Sequence, residues 1–109
     1  MNELKDSILE GMRDYVADME EPYYPLEKVE ECGRIIDEFL AAMAGARGEP
    51  AILAVVKKTV LALNELNDEC GGSLIETGQR EDLCDLIERA ANQAGLATDE
   101  DITEQWREW

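Results

Sequence analysis

This chain has no histidine, a single phenylalanine, and only three cysteines and three prolines among its 109 residues. Without imidazole there is no Ser-His or Cys-His nucleophile pair, no histidine acid-base chemistry and none of the usual zinc sites. Cys32, Cys70 and Cys84 lie far apart and never form a CxxC pair, so a zinc site would need a carboxylate as its fourth ligand. Their odd number, without a secretory signal, points to reduced thiols that fill space as small hydrophobes. Aromatic residues make up only 6%, which leaves aliphatic side chains to build the core. No apolar run approaches the roughly 18 to 20 residues that span a bilayer. The opening MNELKDSILEGMRD lacks the basic and apolar regions of a signal peptide, which makes the cytoplasm the expected location. Positive charge is scarce as well. Ten basic residues face 26 acidic ones, for a net charge of −16. Such a field repels nucleic acid and anionic membranes. Lys57-Lys58, the only adjacent bases, are too few for a nucleic-acid footprint.

Strand signals are missing too, with no alternating run and no Asn-Gly hairpin, whereas helical spacing is everywhere. Leu4, Ile8, Met12, Tyr15, Val16 and Met19 recur at steps of three and four. Pro22 and Pro25 interrupt that stripe, and Pro25 suits the first position of a second helix. Val29, Cys32, Ile36, Phe39, Leu40 and Met43 mark its buried face, with Gly45 as the expected cap. A third helix is expected from Pro50 to Cys70. Its stripe is Ile52, Val56, Val60, Leu63, Leu66 and Cys70, widened by Leu53, Val55 and Leu61, and Gly71-Gly72 ends it. Leu74 and Ile75 are expected to tuck under the helices. A fourth helix opens at Thr77 or Gly78, runs along Leu83, Leu86, Ile87, Ala90 and Ala94, and closes at Gly95. The middle helices match in length and their link is short, so they should pair antiparallel.

Both tryptophans fall in the closing ITEQWREW. If Thr98 caps a short fifth helix, with Asp99, Glu100 and Asp101 in its first turn, then Ile102, Trp106 and Trp109 share one face. So short a helix persists only when docked, either on its own bundle or on a partner. The expected fold is therefore all-α: one helical domain over residues 1–109, an antiparallel four-helix bundle with a short additional C-terminal helix. Tyr23 and Tyr24 sit on the stiff corner between the prolines. One ring should seal the end of the bundle with its hydroxyl in water, leaving the other for recognition.

Carboxylates are the only plentiful reactive groups. Glu27, Glu30 and Glu31 share about one turn of the second helix, and Glu65 and Asp68 stand three apart on the third. Acid pairs on facing helices can hold magnesium or manganese against phosphates. The arrangement resembles, distantly, the ExxE and ExxD pattern of all-α nucleoside triphosphate pyrophosphatases. Cys32 and Gly33 blur that pattern and no basic cluster accompanies it, so these acids read first as a solvated face eased by Lys28 and Arg34.

The stretches EPYYPLEKV, GGSLIETGQRED and ITEQWREW, spanning about Glu21 to Trp109, resemble a family of small bacterial proteins catalogued as a domain of unknown function. That resemblance implies neither an activity nor site residues. In size and acidity the chain is also similar to bacterial immunity proteins, which neutralise basic toxins. The sequence thus points to a non-catalytic module, without a cofactor or a bound metal, that binds an unidentified and basic protein. Tyr23, Tyr24, Trp106 and Trp109 are its candidate interface residues. A metal-dependent nucleotide phosphohydrolase and a structural or regulatory homodimer are the alternatives.

Overall fold

Four helices carry the chain: α1 (Asn2–Asp18), α2 (Leu26–Gly45), α3 (Glu49–Glu69) and α4 (Thr77–Ala94). They are seen in a computed structural model that describes residues 2–98 and 100–109, and no strand occurs among the described residues. The punctuation works largely as the sequence implies. Pro25 stands in extended backbone just ahead of α2, and Pro50 occupies the first turn of α3. Neither position needs the amide hydrogen that proline lacks. Gly95 closes α4 at a φ of 116°, donating its amide to the carbonyls of Ala91 and Asn92. Gly45 does not act as a cap. It is the last helical residue of α2, and the extended Ala46 after it returns its amide to Met43.

The stripes converge on one core. Ile8, Met12, Val29, Ile36, Phe39, Val56, Leu63, Leu83 and Ile87 are all buried. Leu74 and Ile75 tuck in from the α3–α4 link, as expected. Two expectations fail at the edges. Met19 lies beyond the end of α1 and is 46% exposed, and Leu61, which should have widened the α3 stripe, is 45% exposed.

Cross-helix pairs set the directions. Lys5 bonds Asp37, while Tyr15 stacks on Tyr24 at 5.0 Å between ring centroids, so residue numbers rise along α1 as they fall toward the start of α2. Lys28 reaches Glu69 at 3.2 Å, which opposes α2 to α3. Gly33 lets α1 come close: a Cβ there would stand 3.2 Å from Leu9 Cδ1. α2 also meets α4, whose small Ala90 and Ala91 are buried. None of these helices is long and apolar enough to cross a membrane among the described residues.

No fifth helix forms among the described residues. Residues 102–106 form turns, and the last three residues are irregular. Thr98 caps only a local turn, accepting the Glu100 amide at 3.1 Å. Asp101 starts the next turn instead, its Oδ1 accepting the Thr103 amide at 3.0 Å and the Thr103 hydroxyl. Trp106 and Arg107 both donate to the Thr103 carbonyl. The following amide, on Glu108, leaves the ladder and donates to Asn64 Oδ1 at 3.0 Å. A helix of one or two turns has little cooperativity with which to resist such a competitor. Asp99, expected in the first turn, lies outside the described residues.

Candidate functional site

The acids proposed from the sequence do not converge. Glu27 and Glu30 are exposed on α2, Glu65 and Asp68 are exposed on α3, and Glu31 is half-buried. The α3 acid that comes across to α2 is Glu69. Lys28 Nζ lies 3.2 Å from Glu69 and 3.6 Å from Glu31, so one ammonium bridges the two carboxylates. The hydrogen bond to Glu69 holds the Lys28 ammonium above its ordinary pKa. Arg34 forms no ion pair with a described residue. No three carboxylates or thiols gather closely enough to hold a metal among the described residues.

The thiols are equally unsuited to nucleophilic work. Cys32 is buried, and burial pushes its pKa up to about 12. Burial also raises Cys70 and Cys84, in the latter against a hydrogen bond with Thr103 and the charge of Arg107. Thiols shifted this way stay protonated at neutral pH.

The tyrosine corner places one ring inside and the other outside. Tyr24 is 3% exposed and stacked on Tyr15, while Tyr23 is 74% exposed, its backbone amide donating to the Tyr15 hydroxyl at 3.0 Å. Burial raises the Tyr24 phenol to about 12.

Ile102, Trp106 and Trp109 do pack against the core, but as half-buried side chains on an irregular tail. Asn64 is what fastens them. From inside α3 its Nδ2 donates to the Trp106 carbonyl at 2.7 Å, and its Oδ1 accepts the Glu108 amide. Arg107 pairs with Asp101 at 3.2 Å and lies over the Trp109 ring, 5.5 Å from its centroid. One turn further along α3, buried Asn67 does the same for the α3–α4 link, accepting the Ile75 amide at 2.9 Å. Neither asparagine was picked out from the sequence. The signal was there: each follows a core residue of α3 by four (Val60 and Leu63), a spacing that buries side chains.

Where the tail lies against α3 it encloses a recess of about 420 Å³. Leu53, Leu96 and Ile102 supply apolar lining, while Glu49, Glu100, Asp101 and Glu104 supply four carboxylates and no lining residue is basic. The three glutamates are exposed and the apolar residues are half-buried or buried, so the acids rim an apolar floor. No known protein family matches this chain, nor does any curated protein or solved structure at a significant level.

Proposed function

We propose that the chain is a non-catalytic binding module for a basic protein, acting as an immunity or antitoxin-like inhibitor does. The observation that carries this reading is the acid-rimmed, apolar-floored recess between α3 and the tail. A lysine or arginine has the complementary shape and chemistry. Its methylene stem covers Leu53 and Ile102, and its charged head sits among Glu49, Glu100 and Glu104. Asp101 is already committed to Thr103 and Arg107 and serves as a wall. Four of the chain's ten basic residues, Lys5, Lys28, Arg89 and Arg107, pair with acids of the same chain. Most of the remaining acids are exposed, and a net charge of −16 steers a basic partner in. Three free thiols suit the reducing cytoplasm expected for such a protein. The metal-dependent phosphohydrolase has no converging carboxylate set to stand on among the described residues.

A lysine- and arginine-rich peptide is the probe. Titrated into the isotopically labelled protein, it should shift amide resonances around Glu49, Leu53, Ile102 and Glu104 in a saturable manner. Affinity should fall as salt rises and drop about tenfold in the Glu49→Gln/Glu104→Gln variant, the order expected for losing two charge-assisted contacts. Shifts spread evenly over every acidic face, or unchanged affinity in the variant, would refute the recess as the binding site.

A further inference from the structure

A second concave surface lies on the outer side of the α2–α3 pair, and its chemistry differs from that of the recess. The groove holds about 280 Å³ and is lined by Ile35, Phe39 and Ala42 of α2 and by Ala54, Val55 and Ala62 of α3. Only two of its lining residues are charged, and they have opposite signs on opposite walls: Glu38 on α2 and Lys58 on α3. They also stand at one height. The Lys28–Glu69 contact fixes the antiparallel register, and ten residues on from Lys28 comes Glu38 while eleven back from Glu69 comes Lys58. Neither forms an ion pair with any described residue. Beside the groove Leu61 projects from α3, 45% exposed.

We propose that this groove is the interface for a second copy of the chain, the two copies related by a twofold axis running along the groove. Charge selects that occupant. A uniformly basic or acidic partner satisfies one wall and is opposed by the other. A copy turned about the groove axis lays its α2 on this α3 and its α3 on this α2, so each Glu38 meets the other copy's Lys58. The same rotation carries the second copy's Leu61 to the height of Ile35, covering apolar surface on both. Alanines at 42, 54 and 62 keep the walls low enough for the helices to approach. Two adjacent helices offer a face of about 30 by 20 Å, or roughly 600 Å² per copy, at the lower end for specific association. The dimer is therefore weak and concentration-dependent. It also opposes two chains of net charge −16, so salt should strengthen it by screening the long-range repulsion. That response is opposite in sign to the one expected for a basic partner, and the two proposals stand or fall separately.

Sedimentation across a concentration series, at low salt and at about 0.15 M, where the screening length is about 8 Å, tests this directly. The expected result is a monomer–dimer equilibrium that shifts toward dimer with salt. Leu61→Glu should weaken it by about tenfold or more, as a charge set against apolar surface does, with unchanged helical circular dichroism because Leu61 is exposed in the monomer. Glu38→Lys and Lys58→Glu should each weaken self-association, whereas mixing those two variant chains should yield a heterodimer in which every facing pair is opposite in charge. A monomer at every concentration and salt would overturn the proposal. So would a dimer indifferent to Leu61→Glu, or variant chains that fail to pair on mixing.

Discussion

The helical core and the C-terminal tail both bury apolar side chains, yet different forces hold them. Leu63, Phe39, Ile36 and their neighbours are enclosed on every side, and their contribution scales with area removed from water. The tail leaves Ile102, Trp106 and Trp109 half-buried and relies on directed bonds from Asn64 and Asp101. It carries a cost too, because Arg107 Nε and Trp109 Nε1 are buried without a hydrogen-bond partner among the described residues. Area is forgiving of small shifts; an amide clamp is not. The core should therefore fail globally, and the tail should be able to fail alone.

Leu63→Ala gives the largest effect. Removing a fully buried leucine should cost about 3 kcal/mol, lowering Tm by something on the order of 15 °C. Hydrogen exchange should quicken in all four helices together. Accelerated exchange confined to α3 would mean the core is not one cooperative unit, and the contrast with the tail would collapse.

Trp106→Ala should cost about 2 kcal/mol, below the full-burial value because the indole is only half-covered. Native tryptophan emission should be blue-shifted relative to the unfolded chain. A silent substitution would show that the tail's packing contributes nothing to stability.

Asn64→Ala comes next, at about 1.5 kcal/mol for two lost bonds to backbone groups that can turn to water. It separates the two regions most cleanly. The Glu108 amide should lose its protection and tryptophan emission should shift to the red, while core amides exchange as before. If the core loosened equally, Asn64 would be a packing residue of α3 and not a clamp.

The same contrast explains what could be read from the sequence. A repeat at three and four residues announces a helix because many positions repeat the message, and one error such as Leu61 or Met19 does not spoil it. The tail's geometry hangs on three side chains. Asp101 and Thr103 begin a turn, and Asn64, 44 residues away from Glu108, takes the amide that would have extended it. No local pattern encodes a competitor that distant in sequence, so Ile102, Trp106 and Trp109 looked like a helix face. The acids misled for a related reason. Their spacing on one helix is visible, but which acid of α3 faces Glu31 depends on interhelical register, and Lys28 selects Glu69. The recess could not be anticipated at all, since it exists only because the tail lies against α3.

The smallest effect to test is a pair of titrations pulling opposite ways where the tail meets α4. Burial works to raise the Asp101 pKa, but the side-chain and backbone hydrogen bonds of Thr103, the charge of Arg107 and the Glu104 amide outweigh it and hold the carboxyl below its ordinary 3.8. A carboxyl depressed on folding stabilises above its unfolded pKa, and that stability disappears as pH falls through the folded value. Glu88 is the reverse case. Burial, then the charges of Asp101 and Asp85, raise it above 4.5. Its ionised form is a liability at neutral pH, relieved as pH falls through the raised value. Acidifying from neutrality should therefore first firm the tail as Glu88 takes up a proton, then loosen it below about 3.8 as Asp101 does. Each contribution should stay below about 1 kcal/mol at such partly exposed positions. Tryptophan emission against pH, read as the difference between wild type and variant, isolates them from the general relief of a net charge of −16. Glu88→Gln should remove the firming and leave the loosening, and Asp101→Asn should remove the loosening and weaken the firming. A tail that responds identically in wild type and both variants is held by its apolar contacts alone, and the distinction between clamped tail and packed core would then be one of degree.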